Sequence, residues 1–309
     1  MGTAALSCAS LEKLAASTEC TVAAVVTQPD KPKGRDLKLT ASPVKVLAEK
    51  LSLPVLQPAK ARDELFIANI QELKPDLMVV VAYGQILPQR LLDVPALGCL
   101  NVHTSLLPKY RGAAPIQWAI ADGEAETGVT IMKMDAGLDT GPILAARRTP
   151  ILAEDDSQTL HDRLAQLGAE LLVETLPVYA AGKIPPQPQP AQGATYAAKI
   201  KKEDGHIDWN WPARKIWTRL RAFTPWPGAF TFLKNEGAKP QLLKIWKAEV
   251  VGIAGEIGTV LAADKTGLVI GCGEGALRIL ELQREGGKRL TAEQFLAGYP
   301  VRPGARLFA

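Results

Sequence analysis

Asn101 and His103 stand two residues apart in Cys99-Leu100-Asn101-Val102-His103-Thr104-Ser105-Leu106-Leu107-Pro108. In an extended strand that spacing turns an amide and an imidazole to the same side. Thirty-six residues past His103 comes Asp139, within Asp135-Ala136-Gly137-Leu138-Asp139-Thr140-Gly141, directly after the apolar run Val129 to Met134. Taken singly, each motif has a plainer reading: an Asn closing a strand, a histidine satisfied in the core, two turn carboxylates. Brought to one crevice, Asn, His and Asp suit acyl transfer to an amine. Attack on a carbonyl creates an oxyanion, which the Asn101 amide and a protonated His103 stabilise, while Asp139 helps to move the amine's proton. This chemistry needs no nucleophilic Ser or Cys, so the transfer is expected to be direct, without a covalent enzyme intermediate.

Elements that could position these residues alternate through the first half of the chain. Thr21 to Thr27, Asp76 to Ala82, Gly98 to Val102 and Gly128 to Met134 read as buried or half-buried strands. Between them, Ser42-Pro43 reads as an N-cap before a helix over Val44 to Leu51, and Arg62 to Leu73 repeats its apolar residues at helical spacing. This alternation predicts an α/β fold, a doubly wound, mostly parallel, Rossmann-like sheet. Open sheets of that kind bind ligands outside the carboxyl ends of their strands, where Asn101 and His103 fall. Asp155 to Ala181 reads as a long helix striped by Leu160, Leu164, Leu167, Leu171, Leu172 and Leu176. A fold of this class starts with a central apolar strand, whereas this chain starts at Met1-Gly2-Thr3. The first strand is therefore expected to be missing, with the true start a few residues upstream.

Four prolines between residues 182 and 198 cannot sit inside a helix and predict an extended linker. The expected domains are 1–181 for catalysis, 182–198 as linker and 199–309 as a second unit. Beyond the linker, Pro212 to Phe223 reads as a basic helix, followed by short β-like runs over Ala229 to Leu233, Gln241 to Val251, Gly258 to Ala262, Gly267 to Cys272 and Ala276 to Gln283. About five short glycine-punctuated strands predict a small OB-like β-barrel. Gly271-Cys272-Gly273-Glu274-Gly275 lacks the spacing of a nucleotide-binding loop and reads as a hairpin turn.

Composition narrows the function classes. The 309 residues carry 47% hydrophobic and 22% charged side chains, the balance of a globular chain, and no apolar run approaches the roughly 20 residues of a membrane span. Four scattered cysteines without neighbouring histidines predict reduced thiols and no metal site. The first twenty residues lack the marks of a targeting peptide, so a cytoplasmic location is expected. Residues 1–180 hold 17 Lys and Arg against 21 Asp and Glu, and residues 181–309 hold 19 against 11. That basic second half suits a polyanionic partner, although scattered solvating lysines give the same excess. Trp217 and Trp226 read as core residues rather than stacking platforms.

NVHTSLLPKYRGAAPIQWAI (101–120) followed by ETGVTIMKMDAGLDTGPIL (126–144) resembles the 10-formyltetrahydrofolate-dependent formyltransferases, and within them the methionyl-tRNA formyltransferases. The similarity extends to VTQPDKPKGRDLKLTASPVKVLA, DLMVVVAYGQILP, KIKKEDGHIDW and RAFTPWPGAF, nearly the whole chain. The resemblance implies that Asn101, His103 and Asp139 are catalytic, that Asp135 supports them, and that Ser105, Leu106, Leu107 and Pro108 line the folate site. It implies 10-formyltetrahydrofolate as co-substrate, no metal, and methionyl initiator tRNA as partner; no membrane association and a monomeric chain are expected. Residues 28–45 match the family's insertion loop for the tRNA acceptor end, with Arg35 at the main contact position. Lys31, Lys33, Arg35 and Lys38 on a Pro- and Gly-containing loop suit phosphates, although a solvated surface loop explains them too. Arg214 and Lys215, with Arg219 and Arg221, are the candidates for RNA contact in the second domain. Two alternatives stay open: formylation of a sugar-nucleotide amine, and a tRNA-binding protein without catalysis.

Overall fold

Local signals start and stop the helices that frame the candidate residues. The computed structural model describes residues 1–33, 38–234 and 240–308. The chain runs through α1 (Leu6–Ala15), β1 (Val25–Val26), β2 (Lys31–Lys33), β3 (Lys38–Thr40), α2 (Pro43–Lys50), β4 (Val55–Leu56), α3 (Glu64–Leu73), β5 (Met78–Val80), α4 (Gln89–Leu92) and β6 (Cys99–His103). It continues with β7 (Arg111–Gly112), α5 (Pro115–Ala121), β8 (Glu126–Lys133), β9 (Ile143–Pro150), α6 (Ser157–Ala180) and β10 (Tyr196–Ala197). Ser42 caps α2, its hydroxyl accepting from Lys45 N at 3.0 Å with Pro43 in the first turn, as the Ser-Pro pair predicts. Asp63 caps α3 by accepting from Leu65 N.

Two compact units result: Met1–Pro115, Glu126–Pro150 and Leu160–Ala197 form the first, and Ile116–Ala125, Ile151–Thr159 and Ala198–Ala309 the second. The first unit is α/β, with β1 parallel to β4 and β5 parallel to β6. Beyond β6 the pattern changes. β8 runs antiparallel to β6, and β9 antiparallel to β8, completing the order β5-β6-β8-β9. A helical crossover is required only between parallel strands, and the short connection through residues 134–142 lets β9 return beside β8 as an edge. β9 was not legible in advance because Ala146, Arg147, Arg148 and Pro150 break any apolar run; charges and proline are typical of an exposed edge strand.

At the other flank of β5, Met1 and Gly2 lie between it and the β1–β4 pair. The Met1 amine donates to Val79 O at 2.6 Å, Val81 N donates to Met1 O at 2.9 Å, and Gly2 N donates to Val26 O at 2.9 Å. Two residues thus bridge the β1–β4 pair to β5, beside a cavity of about 710 Å³ lined by Val22, Val25, Val44, Leu77, Val79 and Leu176 among others. On the β6 side there is no such room. The α6 residues Leu160, Leu164 and Leu172 are fully buried, and Gly168 brings α6 so close that a Cβ there would lie 2.8 Å from Val102 Cγ1 and 3.3 Å from Val129 Cγ1.

The second unit contains α7 (Ala213–Ala222), β11 (Ala229–Lys234), β12 (Gln241–Val251), β13 (Val260–Asp264), β14 (Gly267–Gly271), β15 (Ala276–Arg284), β16 (Arg289–Thr291), α8 (Ala292–Gly298) and β17 (Arg306–Phe308). Its sheet is antiparallel, ordered β13-β14-β15-β12-β11-β17, with β16 paired to β15. The two ends meet through an antiparallel bridge between Thr259 and Arg306, which curls the sheet into the expected barrel-like form. Ile216, Leu220, Leu243, Ile279 and Phe295 belong to its buried core. The 271–275 segment is a turn, closed by Cys272 N donating to Gly275 O, between the paired strands β14 and β15.

Candidate active site

Asn101 and His103 lie on β6 opposite Met132 and Thr130 of β8. The antiparallel course of β8 delivers the carboxylate loop toward the amino end of β6, the reverse of the parallel arrangement expected from sequence. The loop reaches the site by folding back. Asp135 starts the reversal: its Oδ1 accepts from Gly137 N at 3.0 Å and from Thr140 Oγ1 at 2.7 Å. Gly141 completes it in a place no side chain fits, since a Cβ would fall 1.8 Å from Lys133 O.

The fold-back brings Asp139 between the two β6 side chains. Its Oδ1 accepts from Asn101 Nδ2 at 3.2 Å, its Oδ2 accepts from Gly112 N at 2.8 Å, and Oδ2 stands 3.7 Å from His103 Nδ1. His103 is buried, with Nε2 2.9 Å from Tyr110 O. A carbonyl oxygen can only accept, so Nε2 carries a proton and Nδ1 is the basic nitrogen, turned toward Asp139. Asn101 uses one of its two amide N–H groups on Asp139.

The next turn forms one wall. Ser105 is fully buried with its hydroxyl donating to Lys109 O at 2.6 Å; Thr130 Oγ1 donates to Ser105 O at 2.7 Å and accepts from Leu107 N at 3.2 Å. Leu107 is buried, whereas Leu106 and Pro108 are half-buried. Arg111, Thr130, Gln189 and Thr195 complete the frame and were not singled out from sequence. Arg111 and Thr130 lie inside the quoted motif strings, but Gln189 and Thr195 sit in a stretch whose composition signals only extended chain.

The cationic candidates are arranged differently. β2 and β3 pair as an antiparallel hairpin, Lys31 opposite Thr40, where a loop was expected. Its base is tied down by Lys45 Nζ on Asp30 Oδ2 at 2.8 Å, by Gln57 Nε2 on Asp30 Oδ1 at 2.7 Å, and by Gln28 Nε2 on Tyr83 O at 2.7 Å. The hydrogen bond to Lys45 holds the Asp30 carboxyl below its ordinary value. Lys31 and Lys38 are exposed; Lys33 belongs to β2, and Arg35 lies outside the described residues. On α7, Arg214 and Lys215 are exposed and cover the Trp217 and Trp211 rings at 4.4 and 4.3 Å. Arg219 and Arg221 instead serve the fold, donating to Asp204 O and to the Asp155 and Leu152 carbonyls; burial lowers both guanidinium pKa values. Trp217 is half-buried with its Nε1 on Ala248 O, but Trp226 is 58% exposed. That corrects its reading as core: the prolines on either side hold it on a turn, outside the periodicity that buries helix and strand residues.

Among the described residues, no cluster of three or more His, Cys, Asp or Glu is arranged to hold a metal, and no helix is long and apolar enough to cross a membrane. Cys99 and Cys272 are buried free thiols, both pushed up to about 12 by burial.

An amide, a histidine and a carboxylate thus converge at one strand of an α/β sheet. Comparison with known proteins identifies the class. Residues 2–176 match the formyl transferase family and residues 199–300 its C-terminal domain. The chain is 51% identical to the methionyl-tRNA formyltransferase of Geobacter sulfurreducens over 99% of its own length and 95% of the relative's. It is 52% identical to that of Myxococcus xanthus over 93% and 90%. The N-formyltransferase of Helicobacter canadensis, solved with folinic acid and dTDP-3-aminofucose, shares the fold at TM-score 0.64 and 17% identity, over 94% of this chain and 97% of that one. The chain belongs to the formyl transferase family.

Proposed function

We propose that the chain transfers the formyl group of 10-formyltetrahydrofolate to the α-amine of methionyl initiator tRNA, supplying the formylated initiator for translation. The observation that carries this reading is the convergence of Asn101, His103 and Asp139; the roughly 50% identity to methionyl-tRNA formyltransferases over nearly the full chain supports the acceptor. Half-buried Leu106 and Pro108, beside the backbone polar groups of their turn, fit a flat heteroaromatic ring with polar edges. With Ser105 and Leu107 they form the folate wall.

Each residue has a part in the transfer. The free N–H of Asn101 donates to the oxygen of the attacked formyl carbonyl, where charge develops. His103 Nδ1, the nitrogen not committed to Tyr110 O, takes the proton lost by the attacking amine, and Asp139 stabilises the imidazolium so formed. As the new C–N bond forms and the bond to the folate nitrogen breaks, the proton passes to that departing nitrogen. Asp135 keeps the loop folded. The first unit carries the chemistry, with residues 182–197 packed into it, and residues 199–309 bind tRNA through Arg214 and Lys215; Lys31, Lys33, Arg35 and Lys38 approach the acceptor end. The chain acts as a monomer in the cytoplasm.

The test is incubation of the purified chain with 10-formyltetrahydrofolate and methionyl initiator tRNA, with free methionine and a sugar-nucleotide amine as control acceptors. Formyl-methionine released from the charged tRNA alone is the expected result. Formylation of the sugar amine instead would overturn the acceptor assignment.

A further inference from the structure

Asp139 holds a left-handed backbone conformation, φ 53°, which a non-glycine residue keeps only when its surroundings impose it. The imposing group comes from the proline-rich segment. Gln189 Nε2 donates to Asp139 O at 2.9 Å and to Gly141 O at 2.7 Å, so one amide pins the loop on both sides of Thr140. Gln189 Oε1 in turn accepts from Arg111 Nε at 3.1 Å and Nη2 at 2.7 Å. All the hydrogen-bonding capacity of this amide is thereby used within the frame of the site, two donors and two acceptor positions.

The backbone around Gln189 is prepared for this. Pro188 and Pro190 flank it, and a residue before proline is driven to extended geometry. Two residues earlier Gln187 exchanges backbone hydrogen bonds with Ile143, at 2.7 and 2.8 Å, where β9 leaves the carboxylate loop. On the far side, Arg111 N donates to Thr195 O, and Gly112 N, the next amide along, donates to Asp139 Oδ2. The dipeptide Arg111-Gly112 therefore grips Asp139 twice, directly at the carboxylate and through Gln189 at the backbone.

We propose that Gln189, held by Arg111, is a positioning residue for formyl transfer: it fixes the backbone of Asp139 so that the carboxylate stays between Asn101 and His103. The proposal rests on the reading of Asp139 as a participant in the transfer. A glutamine is specific here, because a glutamate would keep the Arg111 contact and lose both donors to the loop carbonyls.

A double-mutant cycle on the full chain tests it. Gln189→Met, similar in length and without donors, is expected to lower kcat about 10- to 100-fold with the KM for charged tRNA and the Tm nearly unchanged. In an Asp139→Asn background the same substitution is expected to cost less than about 3-fold, since the group it positions has already lost its charge. Gln189→Glu should resemble Gln189→Met. Full multiplicative loss in the Asp139→Asn background, or an unchanged kcat, would overturn the proposal. A measurement independent of turnover separates its failure from failure of the formylation assignment: the Gly112 amide proton, bonded to Asp139, should shift and exchange faster in Gln189→Met. An unmoved Gly112 resonance overturns the proposal even if the chain formylates nothing.

Discussion

The two edges of β5 are built to different standards. On one edge β6 pairs in register from Met78 opposite Cys99 to Val80 opposite Asn101, and α6 presses on β6 and β8 through Gly168 with no room for a methyl group. On the other, Met1 and Gly2 reach across beside the 710 Å³ cavity. The candidate catalytic groups all stand on the closely packed side. Chemistry should therefore be sensitive to small changes near β6 and indifferent to the seam, whereas stability should answer to both.

The sharpest test of that separation is at the site. Asp139→Asn keeps the shape and the Gly112 contact but removes the charge, and His103→Ala removes the basic nitrogen; each is expected to lower kcat by about 10²- to 10⁴-fold. Tm in Asp139→Asn should stay within a few degrees of the parent. A large fall in Tm with little loss of kcat would reverse the comparison.

On the closed side, Gly168→Val drives a branched side chain into Val102 and Val129 and is expected to cost about 2 kcal/mol, in the range for overpacked cores. An unchanged unfolding midpoint would mean that α6 can yield. The smallest effect belongs to the exposed cations. Replacing Arg214 and Lys215 with alanine should raise the KM for tRNA a few-fold and leave kcat at saturation intact. The salt dependence of binding should flatten by roughly 0.7 for each phosphate that is no longer neutralised. A fall in kcat instead would show that these side chains do more than hold RNA.

Local chemistry carried much of this protein's design. The Ser42-Pro43 cap, the leucine stripe of α6 and the glycine-punctuated strands of the barrel are each written in a few neighbouring residues, because caps, periodicity and turns act over one or two helical turns. The same holds for Asn101 and His103, whose common side follows from strand geometry alone. The two-residue strand Val55–Leu56 is too short to carry a period, and the direction of β8 depends on where residues 134–142 turn, so neither could be read in advance.

What the sequence determined by itself is the set of chemical groups: an amide and an imidazole two apart, a carboxylate on a glycine-spaced loop, and a basic second half. Tertiary structure alone decided that the loop folds back along an antiparallel strand, that His103 turns Nε2 to Tyr110 O and Nδ1 to Asp139, and that Gln189 reaches fifty positions back in the chain to hold Asp139. The physical reason is the range of the interactions. Propensity and periodicity are properties of adjacent residues, whereas a hydrogen bond between distant residues exists only after the core has brought donor and acceptor within about 3 Å of each other.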